Sequence, residues 1–175
     1  MSAAPSDTVH LQHVIVVGGA PADWAGLSDD QWHQRLTELG KVADDAGVHW
    51  VELRPYGPAD APGVVREALV GQCTVVANPQ GSGRRRLAAA LAGLSSAGAI
   101  TEDGVDVVLN APAEVDPDLV VIMGPTDRLP SSLVWELAYS ELVFTDVPFA
   151  HFTAAQLDEA MASFAHRHRR FGGVD

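Results

Sequence analysis

Residues 118–124 read DLVVIMG, with five apolar side chains in a row from Leu119 to Met123. A strand with one wet face alternates apolar and polar residues. An unbroken run means that both faces are covered, as in a parallel sheet. Three more runs share the pattern: HVIVVG at 13–18, VHWVEL at 48–53 and CTVVAN at 73–78. Helical patterns lie between them. Trp32, Leu36, Leu39, Ala43 and Ala46 follow the spacing of one helix face. Ser28 is placed to cap that helix, with Asp29 and Asp30 in its first turn. GRRRLAAALAGL (83–94) predicts a second helix. Pro130 opens a third over PSSLVWELAYSEL (130–142), with Leu133 and Leu137 on one face. The last helix runs from about Thr153 to Arg170, on a stripe of Leu157, Met161, Phe164 and His168. This alternation predicts an α/β fold: a single domain with a mostly parallel central sheet of five to six strands, flanked by helices. RPYGPADAPG (54–63) reads as a breaker-rich loop. Residues 1–9 are expected to be a disordered leader and residues 10–175 the domain.

The chain has 175 residues, enough to bury a sizeable core in one domain. Its hydrophobic fraction of 47% and charged fraction of 19% are those of a globular chain rather than a disordered one. A net charge of −12 argues against nucleic-acid binding, which needs a basic footprint. The single cysteine, Cys73, excludes an internal disulfide and points to a reducing, cytoplasmic setting. It sits in CTVVA and reads as a small core residue, not a nucleophile. No apolar run approaches the length of a membrane span, and MSAAPSDT has no signal-peptide pattern.

Three motifs carry chemistry with limited specificity. GGAPADWAG (18–26) follows a strand, but it fails the G-x-G-x-x-G spacing and places Asp23 where a pyrophosphate would lie. NPQGSGRRR (78–86) leads Gly81 and Gly83 into a helix that starts with Arg84, Arg85 and Arg86. Helix N–H groups and arginines could hold an anion there. The alternative is a solvated basic turn. HRHRRFGG (166–173) gathers three arginines at the tail, which on spacing alone is a helix end complementing its dipole, with glycine after it. His166 and His168 point apart on a helix, which argues against a shared metal.

From Asp116 onward, DPDLVVIMGPTDRLPSSLVWELAYSELVFTDVPFAHF and the closing RRFGG resemble the cis-prenyltransferases, the undecaprenyl diphosphate synthase family. The most specific part is LVWELAYSELVFTDVPFAHF (133–152). HVIVVGGAPADWA (13–25) and CTVVANPQGSGRR (73–85) are weaker matches to the family's first motif and to its Asn-Tyr-Gly-Gly-Arg strand end. The resemblance implies a dimer that condenses isopentenyl diphosphate with an allylic diphosphate, using Mg²⁺.

The departures lie at the family's site positions. Gly19 stands where the resemblance expects a metal-supporting aspartate. Ala20, Pro21 and Ala22 replace the phosphate-cradling loop, and Asp23 replaces an arginine. Pro21 has no N–H to give. Ser28, Asp29 and Asp30 replace a Gly-His-Arg segment, and YGPADAPG (56–63) replaces the Phe-Ser-x-Glu-Asn-Trp loop. The chain is also short for the family, with the missing residues after that loop. Of the isopentenyl-binding positions, Ile122, Arg128 and Pro130, only Arg128 keeps the expected type. Arg84 is a further candidate diphosphate contact, and Glu141 matches a residue that helps hold Mg²⁺ in the family.

What survives implies an interface. The resemblance places Trp135, Tyr139, Glu141, Phe144, Phe149 and Phe152 at a dimer contact, and carries Arg170 and Gly172 of the terminal Arg-x-Gly into a partner's active site. The expectation is a Nogo-B receptor-type non-catalytic subunit of a heteromeric cis-prenyltransferase. The partner would be a catalytic homologue that holds most of the Mg²⁺ and both diphosphates. Membrane contact would be peripheral, through that partner. Two rivals stay open: a divergent but active synthase, and an unrelated anion-binding α/β protein acting through NPQGSGRRR.

Overall fold

The computed structural model describes residues 10–171, with side chains through residue 167. The expected leader, residues 1–9, lies outside them. Six strands form one sheet: β1 (His13–Val17), β2 (Trp50–Arg54), β3 (Arg66–Val70), β4 (Cys73–Ala77), β5 (Leu119–Met123) and β6 (Glu141–Thr145), in the order β3-β4-β2-β1-β5-β6. Every neighbouring pair is parallel except β3 and β4, which form an antiparallel hairpin. Among the described residues five α-helices complete the fold: α1 (Pro21–Ala25), α2 (Asp29–Asp45), α3 (Gly83–Ala97), α4 (Glu102–Asn110) and α5 (Ala154–Phe171).

The four apolar runs are the four central strands, and all five residues of β1 and β5 are buried. The alternation of side chains divides them between two layers. Val14, Val16, Leu119 and Val121 face Trp32, Leu36, Leu39, Leu157, Met161 and Phe164 of α2 and α5. Ile15, Val17, Val120 and Ile122 face Leu133 on the other side. Ser28 caps α2 as expected: its hydroxyl accepts from the Gln31 N–H, and the Gln31 side chain accepts from the Ser28 N–H. Ala46 is an exposed C-cap and not part of the buried face. Cys73 is fully buried, and burial, with Asp44 nearby, pushes its thiol up to about 12, as a core residue requires.

The expected helix over 130–142 is absent. A 3₁₀ turn at Glu136–Ala138 leads directly into β6. Its Glu136 carboxylate turns inward and accepts from the backbone N–H groups of Val134 and Trp135, which competes with helical bonding. Leu133 and Leu137 still pack on the same apolar layer. Four elements had no counterpart in the sequence reading: α1, β6, the hairpin arm β3, made after the breaker-rich loop, and α4, which Thr101 caps through its hydroxyl and the Gly104 N–H.

Leu157 is fully buried between α5 and the sheet. Leu157→Ala should lower unfolding free energy by about 2–5 kcal/mol, the range for a core leucine that leaves a cavity. Urea denaturation should show a lower midpoint at an unchanged slope.

Candidate functional site

In open parallel sheets, ligands bind at the carboxyl ends of the strands. Here those ends of β1, β2, β4 and β5 carry residues 18–24, 54–61, 78–86 and 124–136, which include most of the motifs above. The β1 turn is closed by the backbone: Gly18 donates to the Arg54 carbonyl at 2.9 Å, and Tyr56 donates to the Gly19 carbonyl at 2.8 Å. Gly19 has φ +75°, and a Cβ on it would meet the Phe149 ring at 2.7 Å. Only glycine fits that conformation and that contact. Phe149 in turn stacks on Trp24 with centroids 6.0 Å apart. Trp24 lies 4.8 Å from Trp32, and the Arg35 guanidinium sits 4.4 Å from the Phe149 centroid. An aromatic plug therefore fills the space beside the turn.

Asp23 closes the same turn from above. Its carboxylate accepts from the Ala20 N–H at 2.7 Å. The donor that a phosphate could have used is bonded within the chain, and Pro21 offers none. The start of α3 repeats the arrangement. Asp60 accepts from the Gly81 N–H at 2.9 Å and pairs with Arg85 at 3.0 Å. The loop before Asp60 lies so close that a Cβ on Gly81 would strike the Ala59 carbonyl.

Between these turns lies a buried chain of charges. Arg54, with no exposed surface, pairs with Glu52 at 2.6 Å and with Glu136, and Glu136 also pairs with Arg86. Asn78 donates to Glu52 at 3.1 Å, and Arg86 donates to the Ser132 carbonyl at 3.1 Å. Burial alone would raise the Glu136 carboxyl, but Arg54 and then Arg86 hold it at about 2. Burial likewise opposes ionisation of Glu52, and Arg54 reverses it, so its carboxyl also stays below the usual range. Arg54 itself, despite burial, is held charged by Glu52 and Glu136. The sequence reading missed this network. The available signal was Glu52 and Arg54 at i, i+2 on one strand face, inside an otherwise apolar run.

The expected site residues are not gathered into one pocket. Arg84 is exposed on the first turn of α3, and Arg128 is exposed in the turn after β5. Neither is in an ion pair among the described residues. Glu141 is half-buried at the start of β6 and pairs with Arg167 at 2.8 Å. Trp135 donates its indole N–H to Asp106 and packs on Ala90, Val105 and Leu109. Tyr139 is 78% exposed, and Phe144 is half-buried on the edge strand. Phe149 and Phe152 are buried in the core, 7% and 2% exposed, which corrects their expected place at a contact surface. The Arg170 side chain and Gly172 lie outside the described residues.

The donor set does not suit a resident Mg²⁺. Gly19 brings no carboxylate, Asp23 is engaged by Ala20, and Glu141 faces the Arg167 cation. Among the described residues no three His, Cys, Asp or Glu side chains converge as a metal site.

Comparison with known proteins places this fold among prenyl diphosphate synthases. A lavandulyl diphosphate synthase from Lavandula x intermedia, solved with dimethylallyl diphosphate, superimposes with a TM-score of 0.62, over 91% of this chain and 97% of that one, at 18% identity. At that identity the likeness speaks for the fold. The undecaprenyl diphosphate synthase family model matches residues 71–172, and the chain belongs to that family. Over 59 residues it is 51% identical to a farnesyl-diphosphate-specific ditrans,polycis-undecaprenyl-diphosphate synthase of Lactiplantibacillus plantarum, a segment covering 34% of this chain and 23% of the relative. An isoprenyl transferase of Halalkalibacterium halodurans is 44% identical over 82 residues, 47% of this chain and 32% of the relative. The matched segments thus span less than a third of these relatives' lengths.

Removing one member of the buried network strands the others. Glu136→Gln should lower stability by about 3–5 kcal/mol, the scale for breaking a buried ion pair from one side. The wild-type Glu136 value lies below the ordinary 4.5, so its contribution is complete above that pH and is lost as pH falls toward about 2. Thermal melts between pH 7 and pH 2.5 should show the wild type losing an acid-sensitive increment that Glu136→Gln lacks.

Proposed function

We propose that the chain is a non-catalytic accessory subunit of a heteromeric cis-prenyltransferase, completing the site of a motif-complete homologue. One observation carries the reading: the β1 turn is occupied by the chain's own Asp23 carboxylate, bonded to the Ala20 N–H. A diphosphate entering that turn would meet a carboxylate, a proline and a bulky aromatic plug. Diphosphates are held by cations, N–H groups and metal, and a fixed carboxylate in a partly dry site repels them. The family match begins at residue 71, so this turn lies outside the matched part.

The parts suited to association are present. β6 is an edge strand with one side unpaired by the sheet. Tyr139 and Phe144 lie on or beside it, and Glu141 ties it to the last turns of α5 through Arg167. Interfaces favour such aromatic groups. Arg170 and Gly172 follow at once in the sequence. In the proposed complex they reach the partner's bound diphosphate, with Mg²⁺ and both diphosphate substrates held chiefly by that partner. Any membrane contact comes through the partner, since no helix among the described residues is long and apolar enough to cross one.

The chain alone, given farnesyl diphosphate, isopentenyl diphosphate and Mg²⁺, should incorporate no isopentenyl label. Turnover at the rate of an ordinary synthase would instead establish the divergent active enzyme. With the catalytic homologue added, the pair should elute as a complex. Arg170→Ala should leave that complex intact but lower its turnover by roughly one to three orders of magnitude, the scale for losing one preorganised donor. Wild-type turnover by Arg170→Ala in an intact complex would remove the tail from the site.

A further inference from the structure

We propose that the groove between α3 and α4 is a docking site for a cationic amphipathic helix of a partner protein. This does not depend on the prenyltransferase role. From Leu87 to Asp127 the chain carries seven carboxylates and no Lys, Arg or His. That stretch includes most of α3 and all of α4. The two helices pack on each other around Ala90, Val105 and Leu109, forming an apolar cluster separate from the main core. α4 leaves large apolar side chains in water: Val107 is 70% exposed and Val108 46%.

The groove has the form of a helix seat. Ala89, Gly93, Leu94, Val108 and Ala111 line it, with a volume of about 490 Å³. A second hollow meets it at Ala111 and continues along Val107, Pro112 and Val115. A Cβ added to Gly93 would meet nothing within 4 Å, so the floor is open to a closely approaching backbone. Helix-in-groove recognition uses such an apolar trough to receive the apolar stripe of an incoming helix. Contiguous exposed apolar surface of this kind marks an interaction site.

Charge selects the occupant. Asp106, Glu114 and Asp116 line the second hollow, with Glu114 exposed, and among the described residues none of the three is in an ion pair. Arg86, at one end of the groove, is already neutralised by Glu136. A second copy of this chain, seated face to face, would bring carboxylate against carboxylate, and each copy carries −12. An anionic lipid surface would be repelled in the same way. A helix with leucine-like residues on one face and lysine or arginine beside them satisfies both the trough and the rim.

The probe is a fluorescein-labelled Leu/Lys amphipathic helical peptide of about 18 residues, long enough to lie along both hollows, with a Leu/Glu counterpart. Anisotropy with the full chain, near physiological salt, should show saturable one-to-one binding of Leu/Lys and none of Leu/Glu. The exposed variants Val107→Ser/Val108→Ser and Glu114→Lys should each weaken it by about tenfold or more. Asp29→Lys/Asp30→Lys, at the start of α2, should change it by less than about twofold, because distant charges are screened. Circular dichroism melts check that each variant stays folded. Equal weakening by the α2 variant would mean bulk attraction to an acidic chain and would overturn the proposal. So would equal binding of Leu/Glu, absence of binding, binding to phosphatidylglycerol vesicles that needs Val107 and Val108, or self-association through those residues.

Discussion

The alternating charges of Glu52, Arg54, Glu136 and Arg86 are the constraint around which the carboxyl edge of the sheet is arranged. They sum to zero and are almost wholly removed from water. Each charge would be very costly alone, because burial without a partner is penalised by several kcal/mol. Held together, they fix three separate segments: the end of β2 through Glu52 and Arg54, the first turn of α3 through Arg86, and residues 132–136 through Glu136 and the Ser132 carbonyl. The segment before β6 cannot then wind into a helix, since the Glu136 carboxylate holds the N–H groups of Val134 and Trp135. β6 follows this anchored segment and pairs with β5 from Glu141 to Thr145 at the sheet edge.

The same principle of internal satisfaction shapes the β1 and α3 turns. Asp23 takes the Ala20 N–H, Asp60 takes the Gly81 N–H and Arg85, and Arg167 takes Glu141. In each case a group that could meet an anion or a cation from outside is met by one from within. These contacts are partly exposed and individually weak, of the order of 1 kcal/mol or less. Their effect is on binding more than on stability, since an entering ligand must displace an intramolecular partner before it gains a contact.

Much of the fold was legible because it rests on periodicity. The runs at 13–18, 48–53, 73–78 and 118–124 became the central strands, and Ser28 capped α2 where its spacing placed it. Segments governed by long-range contacts were not legible. Over 130–142, local propensity favours a helix, while Arg54, distant in sequence, decides against it. β3 follows a loop so rich in Gly and Pro that its short alternating pattern carries little signal, and pairing with β4 completes it. At the site, residue identities told which groups stand at the turn, Gly19, Pro21 and Asp23. They could not tell what fills the space, because Phe149 reaches Gly19 across more than a hundred residues. Aromatic content alone did not separate Phe149 and Phe152, which serve the core, from Tyr139, which stands in water.

The stabilising area of the fold lies mostly away from the β1 turn. The residues that hold β1, β5 and α5 together, Val14, Val16, Leu119, Val121, Leu157 and Phe164, sit within the sheet and its helix layer. The residues at 18–24 lie beyond the strand ends and add to that core only through Trp24 and its stack on Phe149. Substitutions among the other residues of this turn would remove little buried apolar area, because the Trp24–Phe149–Trp32 cluster supplies the packing there. The edge strand and the last helix, by contrast, cannot change without disturbing the core, because β6 pairs with β5 along its whole length and α5 contributes Leu157, Ala160, Met161 and Phe164 to it. Physical stability therefore constrains β6 and α5 closely, while it places little demand on the residues of the β1 turn.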